Sequence, residues 1–353
     1  MALELTSVGQ LAVLGFDTII DVRSPSEYAE DHVPGAINLP VLADDERARV
    51  GTMYKQVSSF DARRLGAALV ARNAAHHLEE ALADKGGAWR PLVYCWRGGQ
   101  RSGAFTTVLQ QVGWRAERID GGYKSWRRLV VDQVNGPVAA PVVMLDGNTG
   151  SAKTDLLIEA ARAGAQVIDL EGLANHRGSL FGAMPGGQPS QKAFEGRLAR
   201  VLAALDPTRP VLIEAESSRI GEVVVPRGLW AAMCAAPRLR LAVPLSARAA
   251  YLARAYRDVV EDAPRLADTI SRLRRLHGAE VIDRWQQMAA LGEVEALAAD
   301  LMQAHYDPRY EKSRARRAGD EIVLETESLA IEALPAMATK IWTAAQSLVQ
   351  GRG

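Results

Sequence analysis

A cysteine followed by glycines and arginines is the first group of residues whose types and spacing could do chemistry. Cys95 ends the apolar run 91–94 and is followed by a glycine-rich turn and a helical pattern. Amide groups in such a turn, together with the positive end of the helix, stabilise a thiolate or a bound anion. Arginines on the loop can add charge-assisted hydrogen bonds. The residues that we expect to bind the anion are Arg97, Gly98, Gly99 and Arg101.

Several reactions are compatible with this loop. The spacing Cys-x5-Arg, from Cys95 to Arg101, is also the signature of cysteine-dependent phosphatases. A rhodanese-type sulfurtransferase and an arsenate-reductase-like enzyme would use the same kind of nucleophile. A phosphatase would also need an acid for its leaving group, and none is visible in the sequence. A buried, inert cysteine is the alternative without chemistry, and the two glycines and two arginines argue against it.

A second glycine-rich turn follows the apolar run 142–145 and resembles a phosphate-binding P-loop. Gly147, Lys153 and Thr154 match the Walker A pattern, and Ala152 stands where the second glycine belongs. We therefore expect phosphate binding but not ordinary ATP turnover, because the alanine methyl group crowds the backbone. Thr154 could hold Mg²⁺, and a turn without any ligand is the alternative. The residues that we expect to bind a diphosphate are Gly147, Gly150, Ser151, Lys153 and Thr154.

The elements that must position these loops are short apolar strands that alternate with helical patterns. This alternation favours α/β domains with parallel sheets, and 353 residues are enough for two domains. We expect a first domain over 1–131, a Gly- and Pro-containing linker over 132–140, and a P-loop domain over 141–353. The later part of the second domain, from about residue 247, has a helical pattern.

Charge and cysteine usage exclude several classes of protein. Lys plus Arg and Asp plus Glu both number 42, so the net charge gives no general nucleic-acid signature. The two cysteines, Cys95 and Cys234, argue against a disulfide scaffold and favour a reducing compartment. Histidine and cysteine spacing predicts no metal site, and no apolar run is long enough for a membrane span. We therefore expect a cytoplasmic protein without a membrane partner, in which Cys234 is inert.

Two basic clusters could contact RNA phosphates. Acidic residues are interspersed among them, so a solvated helix face is the alternative. The first cluster contains Arg272, Arg274, Arg275 and His277. The second contains Arg309, Lys312, Arg314, Arg316 and Arg317. The candidate RNA contacts are Arg272, Arg274, Arg275, Arg309 and Arg314.

Over nearly its whole length the chain resembles the tRNA 2-selenouridine synthase family. The resemblance implies an N-terminal rhodanese-like domain followed by a P-loop NTPase-like α/β domain with a helical C-terminal part. This fusion is itself uncommon. The segments that carry it in the first domain are DVRSP at 21–25, HVPGAINLP at 32–40, GTMYK at 51–55, AALVARN at 67–73 and CWRGGQRS at 95–102. Those in the second are HRGS at 176–179, FG at 181–182, QPSQ at 188–191, EAESSRIG at 214–221 and YDP at 306–308.

The resemblance implies a transferase that acts on tRNA whose wobble uridine carries a 2-thio group. A geranyl group would move from geranyl diphosphate, seated in the P-loop, to that sulfur. Selenium from selenophosphate would then replace the geranylthio group, and Cys95 would attack the selenium and carry it as a perselenide. No tightly bound cofactor is implied, and an enzyme that supplies selenophosphate is a further candidate partner. The additional second-site candidates, for which ordinary loop structure is the alternative, are His176, Arg177, Glu214 and Glu216.

Two other functions remain open at this stage. A rhodanese-type sulfurtransferase with a regulatory P-loop domain would turn over thiosulfate and would not need tRNA. A non-catalytic RNA-binding module with a decayed P-loop would keep its function in the variant Cys95→Ser.

Overall fold

The chain forms two compact units, in a computed structural model that describes residues 2–314 and 320–350. The first unit consists of 1–136 and 189–204, and the second of 137–188 and 205–353. Each contains a parallel five-stranded sheet with helices, which is the α/β class that the sequence predicted. No helix within the described ranges is long and apolar enough to cross a membrane.

Strands and helices alternate through both units. The strands are β1 (Ala2–Leu3), β2 (Thr18–Asp21), β3 (Ile37–Asn38), β4 (Pro91–Tyr94), β5 (Glu117–Ile119), β6 (Val142–Gly147), β7 (Gln166–Ile168), β8 (Val211–Glu214), β9 (Arg219–Ile220), β10 (Val223–Val224), β11 (Arg238–Ala242) and β12 (Glu321–Glu325). The α-helices are α1 (Gln10–Val13), α2 (Pro25–Glu30), α3 (Asp44–Gln56), α4 (Ser59–Glu79), α5 (Gln100–Val112), α6 (Gly122–Asn135), α7 (Lys153–Arg162), α8 (Leu170–Ala174), α9 (Gln191–Ala203), α10 (Arg227–Ala235), α11 (Leu245–Ala255), α12 (Arg257–Val260), α13 (Ala263–Arg272), α14 (Ala279–Leu291), α15 (Val294–Leu301), α16 (Asp307–Arg314) and α17 (Leu334–Gln350). Short 3-10 turns cover Leu273–Arg275 and Ile331–Ala333, and a π-helix covers Met302–Tyr306.

The sheet of the first unit has the strand order β1-β5-β4-β2-β3, with every pair parallel. Strand β4 is buried at all four residues, which explains its continuous apolar sequence. Its core neighbours include Ile20 and Phe105. Because ligands bind beyond the carboxyl ends of parallel strands, β4 delivers Cys95 to the edge where a site is expected.

The helix α9 belongs to the first unit, although the sequence placed it in the second domain. Its side chains Phe194 and Leu198 are fully buried, and Glu195 forms an ion pair with Arg127 of α6. Helix α6 itself continues to Asn135 and ends at Gly136, inside the segment expected to be a linker. The predicted domain boundaries therefore differ from the observed units, because local sequence patterns do not show where α9 packs.

The sheet of the second unit has the order β12-β11-β6-β8-β7, again with parallel pairs. The core on one side of it includes Leu157 from α7 and Ile341 from α17. Helices α12 to α15 enclose a separate apolar core that includes Trp285 and Leu297. The strand β6 leads directly into the P-loop, as β4 leads into the cysteine loop.

Candidate active sites

The cysteine loop lies between β4 and α5 in the first unit. Cys95 is only 4% exposed, and its Sγ lies 3.2 Å from Oγ of Ser102. The amide groups in the first turn of α5 have no acceptor within the helix, so they are available to a thiolate or an anion. Gly122 has φ +60, and a Cβ there would lie 2.2 Å from the carbonyl oxygen of Cys95. Only glycine permits this close approach between the loop and α6.

The two loop arginines differ in their contacts. Arg97 is exposed, whereas Arg101 donates to Oε2 of Glu27 at 2.8 Å and to Oε1 at 3.4 Å. Arg47 also pairs with Glu27, at 3.0 Å. Burial raises the pKa of Glu27, but its contacts with Arg101, the Ser24 amide and Arg47 outweigh burial and leave this pKa below its usual value. Arg101 is therefore held by a carboxylate, and its charge is already balanced before any ligand binds.

The glycines of the cysteine loop also have different surroundings. Gly98 is buried with φ +64, whereas Gly99 is exposed and precedes α5. Both lie on the turn that joins Cys95 to α5.

The P-loop of the second unit folds around the side chain of Lys153. Its Nζ donates to the carbonyl oxygen of Gly147 at 3.1 Å. Gly150 has φ +83, and the hydroxyl of Ser151 donates to the carbonyl of Asn148 at 2.6 Å. Ala152 has φ +56, a left-handed conformation that costs a non-glycine residue about 1–2 kcal/mol. Ala152 therefore holds a backbone conformation that glycine would adopt without this cost.

A cavity of about 620 Å³ opens over this loop. Four of the predicted diphosphate ligands line it, and Gly147 contributes by holding Lys153. The charged residues of the wall include both cations and acids. The cations are Lys153, Arg177, Arg254, Arg309 and Arg314. The acids are Asp146, Asp155, Asp169, Glu171 and Glu216.

The acids control the charge of Lys153. Burial lowers its pKa, but the surrounding Tyr310, Glu216, Glu171 and Asp146 outweigh burial, and the net pKa lies above its usual value. Lys153 is therefore a permanent cation in the cavity. Burial and the neighbouring Glu171 carboxylate raise the pKa of Glu216 to about 7, against the opposing charge of Lys153. Glu216 can consequently take up or release a proton near neutral pH.

The second-site candidates occupy different positions around the cavity. Arg177 lines it and pairs with Asp258 at 2.9 Å. Glu216 also lines it, whereas Glu214 is fully buried and accepts a hydrogen bond from the backbone amide of Glu171. The ring of His176 accepts from the amide of Gly178 at 3.1 Å, so it shapes the turn of the wall.

The chain approaches the two wall carboxylates closely at Gly178. This residue has φ +67, and a Cβ there would lie 2.6 Å from Oε1 of Glu171 and 2.7 Å from Oε2 of Glu216. A side chain at this position would both strain the backbone and displace a carboxylate. The glycine of the HRGS segment is thus required by the geometry of the cavity.

Thr154 and Glu171 provide the oxygen atoms that a magnesium ion would need. The Thr154 hydroxyl donates to Oε2 of Glu171 at 2.7 Å, directly after Lys153 in the loop. Mg²⁺ is commonly held by one or two carboxylates together with substrate phosphates. Within the described ranges, no cluster of three or more His, Cys, Asp or Glu is arranged to hold a metal by itself. The residues present fit a magnesium ion that arrives with a phosphate ligand.

Two sequence families match consecutive parts of the chain. The rhodanese-like domain family matches residues 8–129, and the family described as tRNA 2-selenouridine synthase AAA domain matches residues 140–340. The chain belongs to the tRNA 2-selenouridine synthase family. This confirms the resemblance seen in the sequence and the order of the two fold types.

Relatives named tRNA 2-selenouridine synthase match along most of both chains. The one from Chromohalobacter salexigens is 34% identical over 83% of this chain and 86% of its own. The one from Shewanella loihica is 34% identical, with 89% and 91% covered. The one from Aeromonas salmonicida is 35% identical, with 87% and 90% covered.

In this tRNA 2-selenouridine synthase family member, the predicted RNA-binding arginines fall into two groups. Arg309 and Arg314 line the P-loop cavity, and Arg314 donates to the side chain of Asn148 in the loop. The arginines of the first cluster are exposed, with Arg272 paired to Asp268 and Arg274 to Asp283, whereas His277 is half-buried against His305. Arg275 and Lys312 are exposed as well. Arg316 and Arg317 lie outside the described residues.

Sequence reasoning missed part of the cavity wall. Helix α11, the residue that follows it and helix α16 contribute these side chains, and no short motif marked them. The missed wall residues include Tyr251, Arg254, Tyr256 and Tyr310.

Proposed function

We propose that the chain converts 2-thiouridine at the wobble position of tRNA into 2-selenouridine, with geranyl diphosphate and selenophosphate as substrates. The observation that carries the proposal is the cavity around Lys153, which combines a P-loop with four arginines in its wall. A second support is Cys95, which lies at the start of a glycine-containing turn that leads into α5. The shared name of the relatives supplies the tRNA and the selenium.

The first step makes the sulfur a better leaving group. The thiocarbonyl sulfur attacks C1 of geranyl diphosphate, the C1–O bond breaks, and diphosphate leaves with the bonding electrons. Lys153 and the P-loop amides stabilise the charge on the diphosphate. The uridine loses its N3 proton in the same step, and Glu216 is a suitable acceptor because it lines the cavity and titrates near neutral pH. Thr154 and Glu171 would hold a magnesium ion, which would neutralise further phosphate charge.

The second step replaces the geranylthio group. In the perselenide route, the Cys95 thiolate attacks selenium and the Se–P bond breaks with its electron pair on phosphorus. This route therefore releases phosphite. The terminal selenium then attacks C2 of the uridine, and geranylthiol leaves. Two thiol reductant molecules cleave the remaining S–Se bond, which frees the selenouridine and restores Cys95 as a disulfide forms between them.

The proposal includes partners that supply these substrates. An enzyme that makes selenophosphate would provide the selenium donor, and the exposed cluster of Arg272, Arg274 and Arg275 would contact tRNA phosphates. The cytoplasm is the proposed location, because the reaction needs a reduced Cys95 thiol.

Nucleoside mass spectrometry of 2-thiouridine tRNA tests the proposal directly. The full chain is incubated with selenophosphate, geranyl diphosphate and a thiol, beside Cys95→Ser, Lys153→Ala and the matched control Cys234→Ser, whose cysteine is exposed. We expect selenouridine from wild type and control, geranylthiouridine alone from Cys95→Ser, and neither from Lys153→Ala. Unchanged tRNA with turnover of thiosulfate would instead establish the sulfurtransferase alternative.

Phosphorus NMR of the same mixture tests the perselenide route. Phosphite in step with selenouridine supports attack of Cys95 on selenium. Phosphate in place of phosphite, beside the diphosphate of the first step, would rule out that attack and leave the overall conversion standing.

A further inference from the structure

A small apolar pocket of about 70 Å³ adjoins the P-loop cavity within the second unit. Its inner wall is part of the helical core and includes Val259, Leu266, Leu297 and Leu301. Five residues line both this pocket and the P-loop cavity, so the two spaces share one boundary. The shared residues are Thr149, Ser179, Leu252, Tyr256 and Tyr306.

The polar groups of the pocket are confined to that boundary. The side chains of Thr149, Ser179, Tyr256 and Tyr306 carry its hydroxyls, and all four also face the P-loop cavity. The remaining wall residues are apolar. One end of the combined space therefore suits an anion, and the other excludes polar groups.

The hydroxyl of Tyr306 is a second observation that points to a ligand. It is buried, and its contacts with the side chain of Ser179 and the backbone of Leu180 fall outside ordinary hydrogen-bond geometry. Tyr306 ends the π-helix Met302–Tyr306, a type of distortion that is frequent at functional sites. Since buried hydroxyls are normally paired, an acceptor oxygen on a ligand would complete this one.

We propose that the pocket binds the end of the hydrocarbon chain of a diphosphate ester and so selects donors by chain length. The inference rests on the proposed function, because it assumes that the diphosphate lies at Lys153. The pocket has about half the volume of the 150 Å³ engineered cavity that takes one benzene. It has room for the last few carbons of a short branched chain, and a chain with five further carbons would not fit.

Binding of a series of donors to the full chain tests the inference without any turnover. The probes are inorganic diphosphate and the dimethylallyl, geranyl and farnesyl diphosphates, titrated calorimetrically. Ala298, which is partly buried on α15 and lines the pocket, is changed to Phe to fill it. The matched control is Ala296→Phe, at an exposed position of the same helix.

We expect Ala298→Phe to raise the Kd of geranyl diphosphate at least about tenfold, since each buried methylene contributes several-fold in affinity. The Kd of inorganic diphosphate should stay constant, which also shows that the variant is folded. Leu297→Ala enlarges the pocket and should shift the preference toward the farnesyl ester at least about fivefold. The control should match wild type in all four titrations.

Either of two results would overturn the inference. One is an unchanged geranyl preference in both Ala298→Phe and Leu297→Ala. The other is an equal loss of affinity in Ala298→Phe for inorganic diphosphate and for all three esters. A wild type that binds the esters with this chain-length preference but alkylates no tRNA would contradict the proposed function and leave the pocket assignment supported.

Discussion

Oε1 of Glu214 accepts a 2.8 Å hydrogen bond from the backbone amide of Glu171. Glu214 ends β8 and is fully buried, while Glu171 lies in α8 and contacts the P-loop through Thr154. One buried carboxyl group therefore fixes the position of the wall carboxylate nearest to the P-loop hydroxyl. Burial, followed by the charges of Asp169 and Glu171, raises the pKa of Glu214 well above its usual value.

Glu214→Gln should become more stable than wild type as the pH rises. The folded wild type keeps its proton at Glu214 above about pH 4.3, where the unfolded chain has lost it. Its stability therefore falls by up to about 1.4 kcal/mol per pH unit until the folded-state pKa is reached. Glutamine does not titrate and keeps the acceptor for Glu171. Urea unfolding at pH 5 and pH 8 measures the difference, and an equal gap at both values would contradict the raised pKa.

Glu27→Gln should show the opposite dependence on pH. The contacts with Arg101 and Arg47 favour the ionised carboxylate, so its stabilising contribution is present above about pH 4.3 and is lost as the pH falls through the lowered pKa. We expect the variant to be less stable than wild type by about 1–2 kcal/mol at pH 7. Unfolding at pH 7 and pH 3.5 should show this gap shrinking. A gap that is constant or grows in acid would mean that the ion pair does not stabilise the fold.

Ala152→Gly should stabilise the P-loop domain by up to about 1 kcal/mol. The change removes the strain of a left-handed alanine at φ +56, and the greater flexibility of glycine in the unfolded chain offsets part of the gain. Ala161→Gly is the matched control, because Ala161 is an exposed position within α7. There the same substitution should destabilise by about 1 kcal/mol. Thermal unfolding of the two variants should therefore shift in opposite directions.

Substitutions in the two groups of arginines should affect the binding of different ligands. Arg309→Ala and Arg314→Ala should each raise the Kd of inorganic diphosphate about tenfold, because both side chains line the cavity. Arg272→Ala and Arg274→Ala should leave diphosphate binding unchanged. Each should reduce the slope of log K for tRNA binding against log salt concentration by about one. Calorimetry and filter binding at several salt concentrations measure the two effects. If Arg309→Ala weakened the binding of tRNA alone, Arg309 would be an RNA contact, as the sequence predicts.

The parts of the sites that the sequence predicted are those built from consecutive residues. A strand, a glycine turn and a helix suffice to place Cys95 and Lys153, since each loop folds locally. The pairing of Glu27 with Arg101 joins residues 74 positions apart, and nothing in either segment indicates it. The tyrosines of the cavity come from helices whose rotation depends on packing. Their helical pattern could be predicted, but not which face would meet the P-loop.

The packing of α9 on α6 has a consequence for synthesis and for protein engineering. The first unit is complete only with residues 189–204, so the ribosome synthesises the strands β6 and β7 of the second unit before the first unit can close. A fragment that stops at Gly136 would leave α6 without its partner helix and should be prone to aggregate. Exchange of the rhodanese-like domain for that of a relative would therefore need α9 to be exchanged with it.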